Sequence, residues 1–340
     1  MSRRIFFAMA AMCAVIASYA LPASAAEPPR LTVGFGNFIV GYLPLPLAES
    51  LGFFREEGIA VEIQNFNGPG SKALQSVIGG TSDFGFGGYD HTLHMQVQGK
   101  DLECVALINR LPGLAIVVRK DLSDRIRSLR DVKGATIGIP GPGTLTEFML
   151  RQFISDAGLS STDDVSIVSV GGQESAIAAL KTRRVDVEVG YDPSVTLLQR
   201  EGLADVILDL RTVEQTHAAL GGDYPWTCLY ARRATVEQNP EATQKLVNGI
   251  VRALRWIDAH SQEEITDQTR PEYQIGGRDL FIDVLAASKP MFPTDAHLTQ
   301  DMMARSLKFV ATFVPQIRTF PIRLEDTYTN RFVDAAPAMR

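Results

Sequence analysis

The chain has 340 residues, 45% of them hydrophobic, and this composition is that of a globular protein. Its 39 acidic and 33 basic residues give a formal net charge of −6, which argues against nucleic acid as a partner. A chain of this length can fold as one bilobal unit or as two domains of ordinary size.

The N-terminal segment has the order of a secretory signal. Two arginines precede an apolar run over residues 5–21, and Ala-Ser-Ala at 23–25 fits the small-x-small cleavage pattern. Cys13 lies inside the apolar run, whereas a lipoprotein signal would place its cysteine at the end of that run. No later stretch approaches the ~18 to 20 apolar residues that span a bilayer. We therefore expect residues 1–26 to be a signal peptide and the mature protein, with a formal charge of −8, to be soluble and periplasmic.

Strands and helices alternate from the start of the mature chain. The sequence predicts strands at 31–35 and 60–66, with a helix between them that ends at Gly58. The turn "GPGS" then leads into a helix with Ser71 as its N-cap. Such alternation is typical of parallel sheets in α/β lobes.

The next segment continues the alternation. A short strand ends at Gly88, a helix begins near Asp90, and strands follow at 102–108 and 114–120 on either side of "NRLPG". After a charged connector, the order strand, turn, helix restarts at Ala135. This restart indicates a second α/β unit.

The second unit repeats part of the first. Residues 174–192 follow the order of residues 71–90, which is a helix, an aspartate, a strand and then Tyr-Asp. A gap-free alignment places Ala73 on Ala176, Asp83 on Asp186 and Gly87 on Gly190. Two copies of a βαβ-like unit indicate two similar lobes, since a solenoid would need at least three.

The end of the second unit leads back to the first. The segment "WTCLYARR", residues 226–233, has the pattern of a returning strand, and the chain after Ala234 is mostly helical. We therefore expect residues 27–121 together with 222–340 to form lobe 1, and residues 122–221 to form lobe 2.

Two cysteines, Cys104 and Cys228, remain after removal of the signal. In an oxidising compartment they could pair, but cysteines in apolar strands are as readily buried thiols. Both lie in strands that we assign to lobe 1, and we expect them to be free and buried.

A glycine turn precedes a helix in each half of the chain, "GPGS" at 68–71 and "GPGT" at 141–144. In open α/β sheets, ligands bind beyond the carboxyl ends of the strands, where helix N-termini present free backbone N–H groups. Two facing lobes would present two such rims across one cleft. Neither turn has the G-x-G-x-x-G spacing or the lysine-hydroxyl end of a nucleotide-binding loop.

A family resemblance runs in order from about Leu31 to Arg232. It is carried by "YLPLPLAESLGFFREEGIAVEI", "GPGSKALQSVIGGTSDFGFGG", "LAIVVRKD", "SLRDVKGATIGIPGPGT" and "VDVEVGYDPS". Together these stretches resemble the nitrate/sulfonate/taurine family of ABC-transporter substrate-binding proteins, which is related to the thiamine-pyrimidine-precursor binders. The resemblance implies an α/β, bilobal periplasmic binding protein fold (type II), with two parallel-rich lobes joined by a two-strand hinge. It also implies a small-molecule ligand between the lobes and delivery to a membrane permease, but members of this family bind very different ligands.

The candidate ligand-binding residues are glycines, polar side chains and aromatic side chains that follow the strands. They are Asn37, Phe38, Tyr42, Gly70, Ser71, Gly88, Tyr89, Asp90, His91, Arg110, Gly143, Thr144, Gln173, Tyr191, Asp192 and Trp226. The aspartates and hydroxyl residues could instead cap helices, and residues 144–147 match a capping box. Arg110 could bind an anion or face solvent.

The sequence offers little for catalysis or metal binding. His91 and His94 could share a helix face, but no cysteine lies at a metal-like spacing. No G-x-S-x-G occurs, and the cysteine-rich signature of the related pyrimidine-precursor enzyme is missing. We expect no enzymatic activity, no metal and no cofactor.

The sequence therefore predicts a monomeric solute-binding protein of an ABC importer, whose lobes close on the ligand and whose partners are transmembrane permease subunits. Helix N-termini favour an anion, whereas Asp90, Asp192 and Glu174 require a donor group on the same ligand. We expect a small organic anion, a sulfonate or an aromatic or aliphatic carboxylate. A pyrimidine or other neutral aromatic ligand, and a periplasmic sensory subunit, are the alternatives.

Overall fold

The computed structural model describes residues 27–337 and shows two five-stranded sheets with helices packed on them. The expected signal peptide, residues 1–26, lies outside the described residues. Within residues 27–337 the strands are β1 (Arg30–Phe35), β2 (Ala60–Asn65), β3 (Phe84–Gly88), β4 (Leu102–Asn109), β5 (Leu114–Arg119), β6 (Thr136–Ile139), β7 (Ser166–Ser169), β8 (Val187–Tyr191), β9 (Ala204–Asp209) and β10 (Thr227–Arg232). The α-helices of the same range are α1 (Pro44–Ser50), α2 (Phe53–Glu56), α3 (Gly70–Gly79), α4 (Asp90–Val97), α5 (Leu145–Asp156), α6 (Gln173–Lys181), α7 (Ser194–Arg200), α8 (Val213–Leu220), α9 (Arg233–Gln238), α10 (Pro240–Ala259), α11 (Gln262–Gln268), α12 (Arg278–Ser288), α13 (Gln300–Phe313), α14 (Pro315–Thr319) and α15 (Arg331–Asp334). In this part of the chain, no helix has the length and apolar composition to cross a membrane.

The two sheets have the same topology. One has the order β2-β1-β3-β10-β4 and the other the order β7-β6-β8-β5-β9. In each sheet the fourth strand runs antiparallel to both of its neighbours, and the other pairs are parallel. We call the units built on these sheets lobe 1 and lobe 2. The predicted α/β, bilobal fold is confirmed, and the sequence repeat corresponds to α3–β3 in lobe 1 and to α6–β8 in lobe 2.

The repeated aspartate connects two strands in each lobe. Asp83, directly before β3, accepts hydrogen bonds from the backbone N–H and the hydroxyl of Thr32 on β1, at 2.8 and 2.9 Å. Asp186, directly before β8, accepts one from the backbone N–H of Thr136 on β6 at 3.0 Å. The repeat therefore contains the same structural contact twice, which connects β3 to β1 in lobe 1 and β8 to β6 in lobe 2.

The sheets divide before β5, not after it. Strand β5 pairs with β8 and β9 of lobe 2, whereas the sequence placed it in lobe 1 and the boundary at residue 121. Two connections join the lobes, and they are hydrogen-bonded to each other. The N–H of Tyr224 donates to the carbonyl of Arg110 at 2.8 Å, and that of Trp226 to the carbonyl of Asn109 at 3.0 Å. Because β4 and β5 are both almost fully buried apolar strands, their side-chain pattern does not specify which sheet each one joins.

Helices of the C-terminal third cover both faces of the lobe 1 sheet. The amphipathic helix α10 packs on α1 and buries Leu246, Ile250 and Leu254. On the opposite face, Met303 of α13 and Ile317 of α14 share a core with α4. The last third of the chain is thus a structural part of lobe 1.

Cys104 and Cys228 form a disulfide with 5.9 Å between their Cα atoms, so the expectation of free thiols is wrong. Cys104 lies on β4 and Cys228 on β10, and these strands are antiparallel neighbours. Both side chains belong to the core that lies on the α4 side of the sheet. The register of the two strands brings the sulfurs together, and neither strand's own residues specify that register.

Candidate ligand-binding cleft

A cleft lies between the lobes at the carboxyl ends of β1, β3, β6 and β8, and it contains two adjoining cavities. Both are lined by Asn37, Ile39, Pro140 and Tyr191. The central cavity, of about 580 Å³, is lined in addition by Tyr42, Gly68, Pro69, Gly70, Ser71, Gly88, Asp90, His91, Pro142, Gly143, Thr144, Leu145, Thr146, Trp226 and Thr227. The lobe 2 cavity, of about 510 Å³, is lined in addition by Phe38, Val170, Gly171, Gly172, Gln173, Glu174, Ser175, Ala176, Glu188, Val189, Gly190 and Ser194.

Four helices of at least eight residues begin at this cleft, two from each lobe, and Ser194, the first residue of the shorter helix α7, lines it as well. The first turns of α3, α4 and α5 line the central cavity, and the first turn of α6 lines the lobe 2 cavity. The first N–H groups of a helix have no carbonyl partner within that helix, and the helix dipole gives them a partial positive charge. The cleft therefore offers backbone donors to a ligand from both lobes.

Aromatic side chains form part of the wall of the central cavity. Tyr191 of lobe 2 and Trp226 lie with their ring centroids 6.1 Å apart, and Tyr42 stands on the lobe 1 side. Burial raises the pKa of Tyr42 to about 12, and the Tyr191 hydroxyl is hydrogen-bonded to that of Thr146. Both phenols are neutral at physiological pH and can cover the apolar body of a ligand.

The charged side chains that line the two cavities are acidic. Asp90 lies at the start of α4, Glu174 at the start of α6 and Glu188 on β8, and no lysine or arginine is among the lining residues of either cavity. Burial lowers the pKa of His91, whose Nδ1 is buried without a hydrogen-bond partner within the described residues. The groups of the cleft that favour an anion are thus helix N-termini and not charged side chains.

Glu188 is a charged residue of this cleft that the sequence analysis missed. It is 1% exposed, and its Oε2 atom is buried without a hydrogen-bond partner in residues 27–337. Burial raises the pKa of this carboxyl to about 7. A sequence signal was present, because Glu188 is the charged residue inside the strand "VEVGY" and buried glutamates are rare unless they are paired.

The structure brings most of the predicted site residues together. Those that line the cleft are Asn37, Phe38, Tyr42, Gly70, Ser71, Gly88, Asp90, His91, Gly143, Thr144, Gln173, Tyr191 and Trp226. Three of the predicted residues, Tyr89, Arg110 and Asp192, are not among the residues that line either cavity.

Asp192 is buried in a structural network instead. Its Oδ1 accepts hydrogen bonds from the backbone N–H and hydroxyl of Thr196, at 3.0 and 2.7 Å. Its Oδ2 accepts from Arg211 at 3.0 Å and from Ser288 at 2.9 Å. Because both oxygens are occupied, this aspartate secures the first turn of α7 and pairs with a buried cation, although the N-cap residue of α7 is Pro193.

Tyr89 and Arg110 point away from the cleft. The Tyr89 side chain is fully buried, and its hydroxyl is 2.7 Å from that of Thr327. Arg110 donates to the carbonyl of Pro290 at 3.3 Å and lies 3.8 Å from the carboxylate of Asp223. Both positions follow from tertiary packing on the C-terminal helices, which the local pattern did not reveal.

The helix caps differ in part from the expected ones. Helix α3 begins at Gly70 with Pro69 as its N-cap, so Ser71 lies in the first turn and does not cap it. Thr144 caps α5 as predicted and accepts from the N–H of Glu147 at 3.3 Å. The Glu147 carboxylate accepts from the N–H of Gly143 at 2.6 Å, so the expected capping box is incomplete.

Metal coordination has no cluster of side chains to support it in the part of the chain that the structure describes. No three His, Cys, Asp or Glu side chains are placed there to share an ion. Of His91 and His94, which could have shared a metal ion, His94 lies near a carboxylate, with its Nε2 atom 3.9 Å from Oδ2 of Asp90.

Comparison with known proteins gives one family. The family described as NMT1/THI5 like matches residues 41–264, about two thirds of the chain. A protein of known structure from Bordetella bronchiseptica RB50 is 34% identical, with a TM-score of 0.78 over 91% of this chain and 97% of that one. The periplasmic aliphatic sulphonate binding protein SsuA from Escherichia coli is 19% identical, with a TM-score of 0.68 over 87% of this chain and 94% of that one. The riboflavin-binding protein RibY of Chloroflexus aurantiacus is 25% identical over 86% of this chain and 83% of its own.

The match to the family and the shared bilobal architecture confirm the resemblance found in the sequence. The bilobal architecture of residues 27–337 consists of a repeated α/β unit, an antiparallel fourth strand in each sheet and a cleft between the lobes. The chain belongs to the NMT1/THI5-like family and has the bilobal fold of periplasmic solute-binding proteins.

Proposed function

We propose that this protein is an exported solute-binding protein of an ABC importer, which holds a small organic molecule between its lobes and delivers it to a membrane permease. The observation that carries the proposal is the convergence of four helix N-termini, two from each lobe, on one cleft with aromatic walls. A ligand in this cleft contacts both lobes at once.

The proposed mechanism is closure of the lobes on the ligand. The connections between lobes, around residues 110–113 and 221–226, run side by side and can bend together as a hinge. A ligand drives closure only by the difference between its affinities for the closed and open arrangements. Contacts with both rims supply that difference, because the open arrangement makes them with one lobe at a time.

The ligand that we propose is an organic anion, a sulfonate or a carboxylate with an apolar or aromatic body. Each helix N-terminus favours negative charge by ~0.3 to 1 kcal/mol at exposed sites, and two of the helices face the central cavity from opposite lobes. Asp90 lines the same cavity and would repel a bare dianion. An amine, amide or hydroxyl on the ligand would meet this carboxylate.

A neutral aromatic ligand, such as a pyrimidine, is the second candidate. It is favoured by one observation, the lack of any lysine or arginine among the residues that line the two cavities. The relatives above divide in the same way. One is named for a sulphonate, which is an organic anion, and the other for riboflavin, which has an aromatic ring system.

Thermal-shift assays and calorimetry of the purified protein test the proposal. The panel contains nitrate, sulfate, alkanesulfonates, taurine, aromatic carboxylates, aminopyrimidines and riboflavin. A ligand at about a hundred times its Kd should add ~2.7 kcal/mol of stability. We expect an organic anion to bind, Tyr191→Ala to lose that binding, and Arg130→Ala, an exposed residue of lobe 2 outside the cleft, to keep it. Binding of only nitrate or sulfate contradicts an organic ligand, and binding of no compound contradicts the proposal itself.

A further inference from the structure

The wall of the lobe 2 cavity contains a buried carboxyl group with an oxygen that accepts no hydrogen bond from residues 27–337. Glu188 is 1% exposed, and its Oε2 atom has no hydrogen-bond partner among residues 27–337. Buried polar groups in proteins are nearly always paired, because an unpaired one costs free energy. An unpaired carboxyl in a cavity wall therefore indicates a partner that binds from outside.

The backbone leaves room for this carboxyl at the open end of the strand. A Cβ atom at Gly190 would lie 2.8 Å from Oε1 of Glu188, so the Glu188 side chain occupies the space that glycine leaves free. Gly190 precedes the carboxyl end of β8, where the cleft lies. The carboxyl thus extends along the strand toward the ligand site.

Two polar side chains of this cavity wall have other partners. The Ser194 hydroxyl donates to the carbonyl of Tyr191 at 2.6 Å, and the Gln173 side-chain amide donates to the carbonyl of Asp192 at 3.1 Å. No lysine or arginine lines the lobe 2 cavity. A ligand can supply the donor that Glu188 lacks within residues 27–337.

We propose that Glu188 is a ligand-recognition residue, and that the lobe 2 cavity receives an amine, amidine or N–H group of the bound molecule. This inference rests on the solute-binding function proposed above and deepens it. The two cavities adjoin at Asn37 and Tyr191, so one molecule can occupy both. Its acidic end then lies at the N-termini of α3 and α5, and its N–H donor lies against Glu188. The ligand class is an elongated organic acid with a nitrogen donor at the far end.

Matched pairs of compounds test the assignment. The pairs are benzenesulfonate with 4-aminobenzenesulfonate, benzoate with 4-amidinobenzoate, and butanesulfonate with 4-aminobutanesulfonate. Calorimetry gives the affinity of each for the wild-type protein, for Glu188→Gln and for the control Glu263→Gln. Glu263 is an exposed residue of α11 outside both cavities, whereas glutamine at 188 keeps the shape of the side chain and removes its charge.

We expect the wild-type protein and Glu263→Gln to prefer the nitrogen-bearing member of at least one pair by about tenfold or more, since a hydrogen bond to a charged group is among the stronger ones. Glu188→Gln should lose most of that preference and keep the melting temperature of a folded protein. If both members of every bound pair have equal affinity, or if Glu188→Gln keeps the preference, the inference is wrong and the solute-binding proposal stands. If neither these compounds nor the panel above bind, both fail together.

Discussion

Glu188 and Asp192 are four residues apart, yet their carboxylates have opposite environments. Asp192 accepts hydrogen bonds from Thr196, Arg211 and Ser288. The Oε2 atom of Glu188 has no such partner among the described residues, and burial raises its pKa to about 7. The Asp192 carboxylate should therefore stabilise the fold. The Glu188 carboxylate should destabilise the ligand-free protein when it is ionised.

Replacement of Glu188 by glutamine should remove a pH dependence of stability. The pKa of this carboxyl rises from 4.5 in the unfolded chain to about 7 in the folded protein. Below pH 4.5 the Glu188 carboxyl is protonated in both the folded and the unfolded protein and has no effect on stability. Between pH 4.5 and about pH 7 the free energy of unfolding falls as the pH rises, because the folded protein holds this proton more tightly. Above pH 7 the full cost, about 3 kcal/mol at 1.36 kcal/mol per pKa unit, is present.

Urea denaturation of the ligand-free protein checks this prediction. The difference in unfolding free energy between Glu188→Gln and wild type should be near zero at pH 4.5 and should favour the variant at pH 8. Glu174→Gln, which changes an exposed carboxylate, provides the control and should show no such trend. A difference for Glu188→Gln that does not change with pH contradicts the prediction.

Removal of the Asp192 carboxylate should destabilise the fold, whereas removal of the Asp90 carboxylate should not. Asp192→Ala leaves the buried Arg211 without one of its two acidic partners, and breaking a buried pair costs about 3 to 5 kcal/mol. Asp90→Ala alters a residue at the cavity wall and should stay within about 1 kcal/mol of wild type. Melting curves of both variants measure this, and the reverse order of stability would contradict the structural role of Asp192.

At the scale of elements, the repeated unit explains how one cleft obtains matching rims. In each lobe a helix, an aspartate and a strand follow in the same order, and the aspartate anchors the strand to a neighbouring parallel strand, β1 in lobe 1 and β6 in lobe 2. The N-termini of α3 and α6 are thus held at equivalent positions in the two lobes. Local patterning predicted these helices and strands, because each depends on residues that are close in sequence.

The disulfide that links the neighbouring strands β4 and β10 should make a large contribution to stability. The disulfide between Cys104 and Cys228 closes a loop with a sequence separation of 124 residues and so restricts the unfolded chain. The double variant Cys104→Ala/Cys228→Ala should lose about 2 to 5 kcal/mol of unfolding free energy.

Denaturation with and without reductant tests the same point in the wild-type protein. The untreated protein should lack two hydrogens by mass relative to the reduced chain and should be the more stable form. Cys13 does not complicate the measurement if the signal is removed, since it lies in residues 1–26. Equal stability of the oxidised and reduced forms would contradict the predicted contribution.

At the scale of the whole molecule, the lobes also meet outside the cleft. Phe148 of α5 stacks on Phe313 of α13 with centroids 5.1 Å apart, and Arg200 of α7 lies 3.1 Å from Asp283 of α12. These contacts join lobe 2 to the C-terminal helices on lobe 1. They constrain the paths along which the lobes can open and close.

A bound ligand should make the molecule more compact. Small-angle X-ray scattering should show a lower radius of gyration with saturating ligand than without it, because closure brings the two rims together. Fluorescence offers a second measurement, since Trp226 lines the central cavity and Trp256 does not. The signal on binding should persist in Trp256→Phe and disappear in Trp226→Phe. An unchanged radius of gyration together with tight binding would contradict closure.

The sequence by itself determined most of the elements, the repeated unit and the family, and most of the residues that it predicted for the site do line the cleft. These features depend on local periodicity, on glycine turns before helices and on the rule that ligands bind at the carboxyl ends of parallel strands. Asn37, just beyond β1, and Tyr191, the last residue of β8, lie at such strand ends and line both cavities.

Only the tertiary structure decided which strands are neighbours and which polar groups are already paired. The disulfide, the place of β5 in lobe 2, the network around Asp192 and the unpaired carboxyl of Glu188 all depend on contacts between residues far apart in sequence. Strand register and the burial of a charge are set by the whole packed core, because hydrogen-bond partners and desolvation come from distant segments. No local pattern contains that information, so the same Tyr-Asp ending leads to a cavity wall at Asp90 and to a buried ion pair at Asp192.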